Sequence, residues 1–196
     1  MESAEFLERE IKLMALPNSL RVAQSLAISM GGREITGCGV DCYWAHSMHP
    51  DMPVVRHRYN DGVGQLTIKK QVEGGNSVRE EVNLELASAS LREVTKLLEM
   101  QGYERSLEIA KVSHNWVTDD AVLSWYSVMD LEGSLLHTPE GMPCKFFEVE
   151  LREDIDWSLG RDPESVLEYY LDLLRDYKIA RVIEPRSLWQ LLGDPY

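Results

Sequence analysis

Residues two apart along a β-strand face the same side, about 6.6–6.8 Å apart, and this spacing sorts the charged residues of the chain into sets. Glu8, Glu10 and Lys12 share one side of the segment from Leu7 to Leu13, while Leu7, Arg9, Ile11 and Leu13 share the other. Arg56 and Arg58 form a basic pair, Arg79, Glu81, Asn83 and Glu85 a longer mixed set, and Glu148 and Glu150 an acidic pair. One such pair is ordinary on a wet strand face. Repetition across several strands is not, because like charges placed in register repel. If these faces line one cavity, Lys12, Arg56, Arg58, Lys69, Arg79 and Lys111 bring six positive groups to it. Glu8, Glu10, Glu81, Glu85, Asp130, Glu148 and Glu150 bring seven negative ones. Guanidinium forks and ammonium groups hold phosphate oxygens, and carboxylates hold Mg²⁺ or Mn²⁺, which in turn bridges phosphates or activates water. The mixture suits a metal-bound triphosphate and has no use for a neutral sugar or an apolar ligand.

The elements that must position these residues are strands. The alternation predicts strands over Leu7 to Leu13, through Val40 to Trp44, and over Val54 to Tyr59, Leu66 to Val72 and Val78 to Leu86. Three more follow, over Leu107 to Trp116, Val122 to Met129 and Lys145 to Leu151. Asn60-Asp61-Gly62-Val63-Gly64 and Glu73-Gly74-Gly75-Asn76 carry the residues tight hairpins need, so those neighbours are expected to be antiparallel. Helices are predicted over Pro17 to Met30, from the capping box Ser90-x-x-Glu93 to Gly102, from Asp162-Pro163 onward, and over Arg186 to Leu192. The expected fold is α+β: an eight-stranded antiparallel barrel with helices packed outside. It forms one domain over 1–196, with the barrel at about 5–151 and C-terminal helices at about 162–192. The stretch from Leu131 to Pro143 has neither period and reads as the most mobile loop.

A length of 196 residues fits one domain with a full core. The net charge of −13 argues against a broad nucleic-acid-binding face, which needs clustered Lys and Arg, so a long duplex is not an expected partner. Three cysteines give neither a disulfide framework nor a four-ligand zinc site. The acidic start Met1-Glu2-Ser3-Ala4-Glu5 lacks the pattern of a signal peptide, and no stretch of about 18 apolar residues occurs, so a cytoplasmic location away from the membrane is expected.

Glu8-Arg9-Glu10-Ile11-Lys12 resembles the E-x-E-x-K signature of the CYTH or triphosphate tunnel superfamily. That superfamily includes inorganic triphosphatases, thiamine triphosphatases, class IV adenylyl cyclases and some RNA 5′-triphosphatases. Further segments follow in its order: Asp41-x-Tyr43-Trp44, Arg56-x-Arg58, Leu66-Thr67-Ile68-Lys69, Arg79-x-Glu81-x-Asn83-x-Glu85, Lys111, Asp130 and Glu148-x-Glu150. The resemblance implies a tunnel in which Lys12, Arg56, Arg58, Lys69, Arg79 and Lys111 bind the triphosphate. It implies that Glu8, Glu10, Glu81, Glu148 and Glu150 hold two divalent ions, Mg²⁺ or Mn²⁺, with Asp130 as a supporting acid. Glu8, Glu10, Lys12, Lys69, Glu148 and Glu150 would then carry the catalysis.

The expected activity is metal-dependent hydrolysis of a triphosphate, water attacking a terminal phosphoryl group. The segment from Arg79 to Glu85 looks most like the bacterial inorganic triphosphatase branch, which favours tripolyphosphate over a nucleotide or other organic triphosphate. One position departs from the family. Where K-x-R is usual, this chain has Lys111-Val112-Ser113, so a phosphate-gripping charge is missing. Two alternatives stand beside hydrolysis: the class IV-type cyclase branch of the superfamily, making cyclic AMP and pyrophosphate from ATP, and, motivated by Ser113, a tunnel that binds a nucleotide or polyphosphate without turnover. A homodimer is a possible assembly. His46, His49, His57, His114 and His137 show no ligand constellation, and Tyr169, Tyr170 and Trp189 are expected to pack on the C-terminal helices, outside the site.

Overall fold

The computed structural model describes residues 7–60, 63–71, 78–86, 91–157, 160, 162–184 and 186–193. Within these, the side chains at 7, 8, 60, 63, 70, 71, 78–80, 91 and 181 are not described. Asp61 and Gly62 of the first hairpin turn, the turn at 73–76 and the capping residue Ser90 lie outside the described residues.

Nine strands and four helices follow the chain. They are β1 (Leu7–Ala15), α1 (Leu20–Ser29), β2 (Arg33–His46), β3 (Val55–Asn60), β4 (Val63–Gln71), β5 (Val78–Leu86) and α2 (Leu91–Met100). Then come β6 (Tyr103–Val117), β7 (Ala121–Met129), β8 (Lys145–Leu151), α3 (Pro163–Asp176), β9 (Ala180–Ile183) and α4 (Leu188–Leu192). The sheet runs β5-β4-β3-β2-β6-β7-β8-β1-β9, antiparallel throughout. It is curled so strongly that β1 and β5 meet through the pairs Leu7↔Glu80, Glu8↔Arg79 and Arg9↔Val78. The eight expected strands are all present, in a strongly curled antiparallel sheet rather than a fully closed barrel. The ninth strand was not expected: β9 continues the β1 edge where β5 leaves it, pairing Leu13 with Ile183 and Met14 with Val182.

Strand alternation divides the core into three parts. Leu13, Leu123, Trp125, Phe147 and Val149 face outward beneath α1 and α3, where they meet Ala23, Leu26, Leu167, Tyr170 and Leu174. The start of α3 is set by Pro163 and by Asp162, whose carboxylate accepts from Ser165 N at 3.0 Å. Cys42, Trp44 and Val55 form a second outward cluster with Val94 and Leu98 of α2. That helix stops at Gly102, whose φ of +83° suits glycine. The third cluster joins Met14, Tyr43, Ile109, Tyr126, Val128 and Phe146 to Leu188 and Leu191 of α4. It fills the barrel around α4 and is the apolar floor beside which the charged residues stand.

The stretch from Leu131 to Pro143 is organised by backbone hydrogen bonds. Bridges join Met129 to Leu135 and His137 to Pro143, and Asp130 N donates to Ser134 O at 2.9 Å.

Candidate active site in the barrel interior

Lys12, Arg56, Lys69 and Lys111 from β1, β3, β4 and β6 line one cavity of about 300 Å³ together with Glu10 and Glu148 from β1 and β8. Six of the residues expected from the sequence are thus brought together by five different strands. Pairing explains how: Glu10 lies opposite Glu150 and Lys12 opposite Glu148 on β8, so neighbouring strands place acid beside acid and base beside acid at one height.

The cations are held in defined ways. Lys69 Nζ lies 2.8 Å from Glu81 and 3.9 Å from Glu10. Arg56 Nη2 donates to Thr67 Oγ1 at 2.9 Å, and Thr67 donates in turn to Asn83 Oδ1 at 2.7 Å. Arg56 Nε is buried without a hydrogen-bond partner among the described residues. A buried guanidinium donor left unmatched is costly unless a ligand satisfies it. Arg58, one turn of the pleat further along β3, is clasped by Asp41 through bonds of 2.7 and 2.8 Å. Lys12 Nζ donates to the Arg186 carbonyl, which ties the first strand to the C-terminal segment.

Lys111 stands over the Tyr126 ring, 3.8 Å from its centroid, and Tyr126 Oη donates to Glu148 Oε1 at 2.5 Å. Burial pushes Lys111 down to about 8, against the pull of Glu148. Burial alone would raise Glu148, but Lys111 and Lys12 outweigh it and hold this carboxyl below its ordinary range. Glu150 goes the other way: burial first, then the neighbouring Glu10, raise it to about 7.

Other expected residues stand elsewhere. The Glu8 and Arg79 side chains are outside the described set, although their backbones pair directly at the β1–β5 seam. Glu85 is exposed on β5. Asp130 requires a correction. Glu148 pairs with Ser124 on β7, six residues from Asp130, or about 20 Å along the strand. Asp130 instead accepts from Ser134 N at 2.7 Å at the start of the following turn. It has the right parity and the wrong height to join the acids.

One wall of the cavity is not legible in the sequence. Ser187, Leu188, Trp189 and Gln190 of the α4 region line the same cavity, beside Tyr43 and Val54. Trp189, expected to lie outside the site, is therefore part of its lining. A capping box fixes the helix, Ser187 Oγ accepting from Gln190 N at 3.2 Å and Gln190 Oε1 from Ser187 N at 2.8 Å. Trp189 Nε1 donates to Ser106 Oγ at 2.7 Å.

Among the described residues, no three His, Cys, Asp or Glu side chains converge on one point as they stand. Glu10 and Glu150 are nonetheless register neighbours, and Glu10 is among the groups that keep Glu150 from ionising. A hard divalent cation would relieve that repulsion, so the donor chemistry fits an ion of that class.

No family model matches the sequence, and no curated protein does so. Solved structures are similar over nearly the whole chain. The PH1012 protein of Pyrococcus horikoshii has a TM-score of 0.69 at 15% identity, over 94% of this chain and 98% of that one. A mimivirus mRNA capping enzyme's RNA triphosphatase domain has a TM-score of 0.53 at 12% identity, over 90% and 91%. A Hippeastrum adenylyl cyclase candidate described as having a dominant triphosphatase activity has a TM-score of 0.61 at 14% identity, over 93% and 92%. The chain shares the fold of these proteins, as its resemblance to the triphosphate tunnel superfamily implies. In this fold the enclosed cavity lies inside the curled sheet, and α4 forms one of its walls. No helix among the described residues is long and apolar enough to cross a membrane.

Proposed function

We propose that the tunnel hydrolyses a triphosphate with the help of Mg²⁺ or Mn²⁺. The observation that carries this reading is the gathering of Lys12, Arg56, Lys69 and Lys111 around one cavity, with Arg56 Nε buried and unmatched among the described residues. Such a cluster matches the oxygens of a polyanion. Structural relatives described as triphosphatases add support for hydrolysis.

Lys12, Arg56 and Lys111 bind phosphate oxygens, and Arg58, set by Asp41, extends the row. Their fixed charges stabilise the negative charge that shifts toward the leaving oxygen. Water attacks the terminal phosphorus, the anhydride bond to the next phosphate breaks, and orthophosphate leaves as the water's proton is released. Glu10, Glu148 and Glu150 are the residues that would hold the metal, which supplies charge neutralisation and a more acidic water when bound. Tyr126 keeps Glu148 oriented through its hydroxyl.

The test is release of orthophosphate and pyrophosphate from tripolyphosphate, ATP and thiamine triphosphate with Mg²⁺ or Mn²⁺, using Glu148→Ala as the blank. Orthophosphate release that needs both metal and Glu148 supports the reading. Pyrophosphate with cyclic AMP points to cyclase chemistry. No turnover by folded, metal-loaded protein leaves binding without catalysis, the reading Ser113 favours.

A further inference from the structure

The cavity has two chemically different sides. One carries the cations and carboxylates; the other is built of Tyr43, Val54, Leu188, Trp189 and Gln190. A bare polyphosphate presents oxygen on every face and gains nothing from an indole or a leucine. A ligand joining a triphosphate to a flat organic group would use both sides. Resting on the triphosphate reading above, we propose that the α4 wall is a subsite for the base of a nucleoside triphosphate, with Trp189 as the stacking surface.

Three features make this wall a prepared site. Trp189 is locked by its bond to Ser106 at 2.7 Å, so the ring is set before a ligand arrives. Leu188 and Leu191 are buried in the barrel floor and anchor the helix. Gln190 spends its carbonyl oxygen on Ser187 N, which leaves its amide nitrogen as a donor at the cavity for a base edge. Val54 precedes Arg56 by two residues, so the uncharged wall begins where the phosphate-binding row ends. Phosphates held by Arg56 and Lys12 would therefore direct an attached group toward α4. Stacking on an aromatic face tolerates every base and is strong enough to show in affinity.

The experiment is calorimetric titration of the full chain, in the presence of Mg²⁺, with β,γ-imido-ATP and with an imido-bridged tripolyphosphate, whose P–N–P bridges resist hydrolysis. It compares the native protein with Trp189→Leu, which keeps apolar bulk, and Trp189→Phe, which keeps an aromatic face. Thermal melting checks that each variant is folded. Trp189→Leu is expected to weaken the nucleotide by roughly tenfold while tripolyphosphate stays within about twofold, and Trp189→Phe to retain most nucleotide affinity. Equal loss for both ligands would make Trp189 a packing residue, and no loss for either would leave the wall unused; each overturns the subsite. Tripolyphosphate binding without nucleotide binding also overturns it while the triphosphate reading stands. Failure of both ligands to bind the native protein overturns the two together.

Discussion

Asp41 accepts both hydrogen bonds that the Arg58 guanidinium directs at it, at 2.7 and 2.8 Å, across the directly paired positions of β2 and β3. The Asp41 side chain is 1% exposed and that of Arg58 33%, so the carboxylate is sealed while the guanidinium stays partly open. Burial works against the charge on Asp41, yet Arg58 overcomes it and brings the carboxyl from 3.8 to about 2. Because this folded value is depressed, the pair stabilises the fold above about pH 4 and loses that contribution as pH falls toward 2. The expected contribution is about 2 kcal/mol at neutral pH. Urea unfolding should show Asp41→Asn less stable by about this amount at pH 7, with the gap closing between pH 4 and 2. A gap that does not change with pH would mean the loss comes from packing alone.

Glu150 gives a pH dependence of the opposite sign. Its carboxyl is raised from 4.5 to about 7 by burial and by Glu10, so ionising it costs the folded state. Metal-free protein should lose stability as pH rises from about 4.5 through 7, by about 3 kcal/mol for this group. Melting in chelator at pH 5.5 and pH 8 should show that loss in the native protein and not in Glu150→Gln. Added Mn²⁺ should restore the native protein at pH 8 more than the variant. Equal slopes for the two would remove Glu150 from the acidic cluster.

Tyr126 joins two charged groups from different strands, Lys111 of β6 and Glu148 of β8. Its ring carries Lys111 at 3.8 Å and its hydroxyl bonds Glu148 at 2.5 Å. Tyr126→Phe keeps the ring and removes the donor. Hydrogen bonds to charged groups are each worth about 1.5–3 kcal/mol. The variant is expected to keep its fold, with triphosphate turnover reduced roughly tenfold and substrate affinity changed less. An unchanged kcat would show that Glu148 is oriented adequately by Lys12 and Lys111.

Strand parity was legible in the sequence; height was not. β8 runs from Lys145 to Leu151 as expected, because its alternation is unbroken. β6 starts at Tyr103 and not Leu107, since the polar residues Glu104, Arg105 and Ser106 interrupt the pattern while the backbone goes on pairing with β2. Asp130 shows the same gap between face and height: it follows Tyr126 and Val128 at even spacing, and only the β7–β8 register reveals how far it stands from Glu148. β9 has four residues, too few for a period, and its place is set by the edge of β1 that β5 leaves unpaired. The α4 wall was unreadable for a related reason. Trp189 and Val54 are distant in sequence, and only the return of the chain along β1 brings them to one cavity.

Ser113 stands where a phosphate-gripping arginine is expected from the family pattern, and the structure shows what surrounds it. It pairs with Gly37 on one side and Tyr126 on the other, on the same strand face as Lys111. Its hydroxyl donates to Gly37 O at 3.4 Å and accepts from Asn115 Nδ2 at 3.2 Å. Gly37 has no side chain to obstruct a longer one at position 113, and a Cβ added there would still lie 3.5 Å from Ser113 Oγ. Ser113→Arg therefore places a guanidinium two residues from Lys111. Its expected effect is a several-fold lower KM for tripolyphosphate, because a bare polyphosphate has an oxygen to meet every added donor. ATP should gain less if its base occupies the α4 wall and fixes its position. Ser113→Gln, with comparable reach and no charge, should leave both KM values near native. Steady-state kinetics on the three proteins decides the matter: equal effects of Arg and Gln would show that position 113 acts through shape, and that the missing charge is no part of substrate choice.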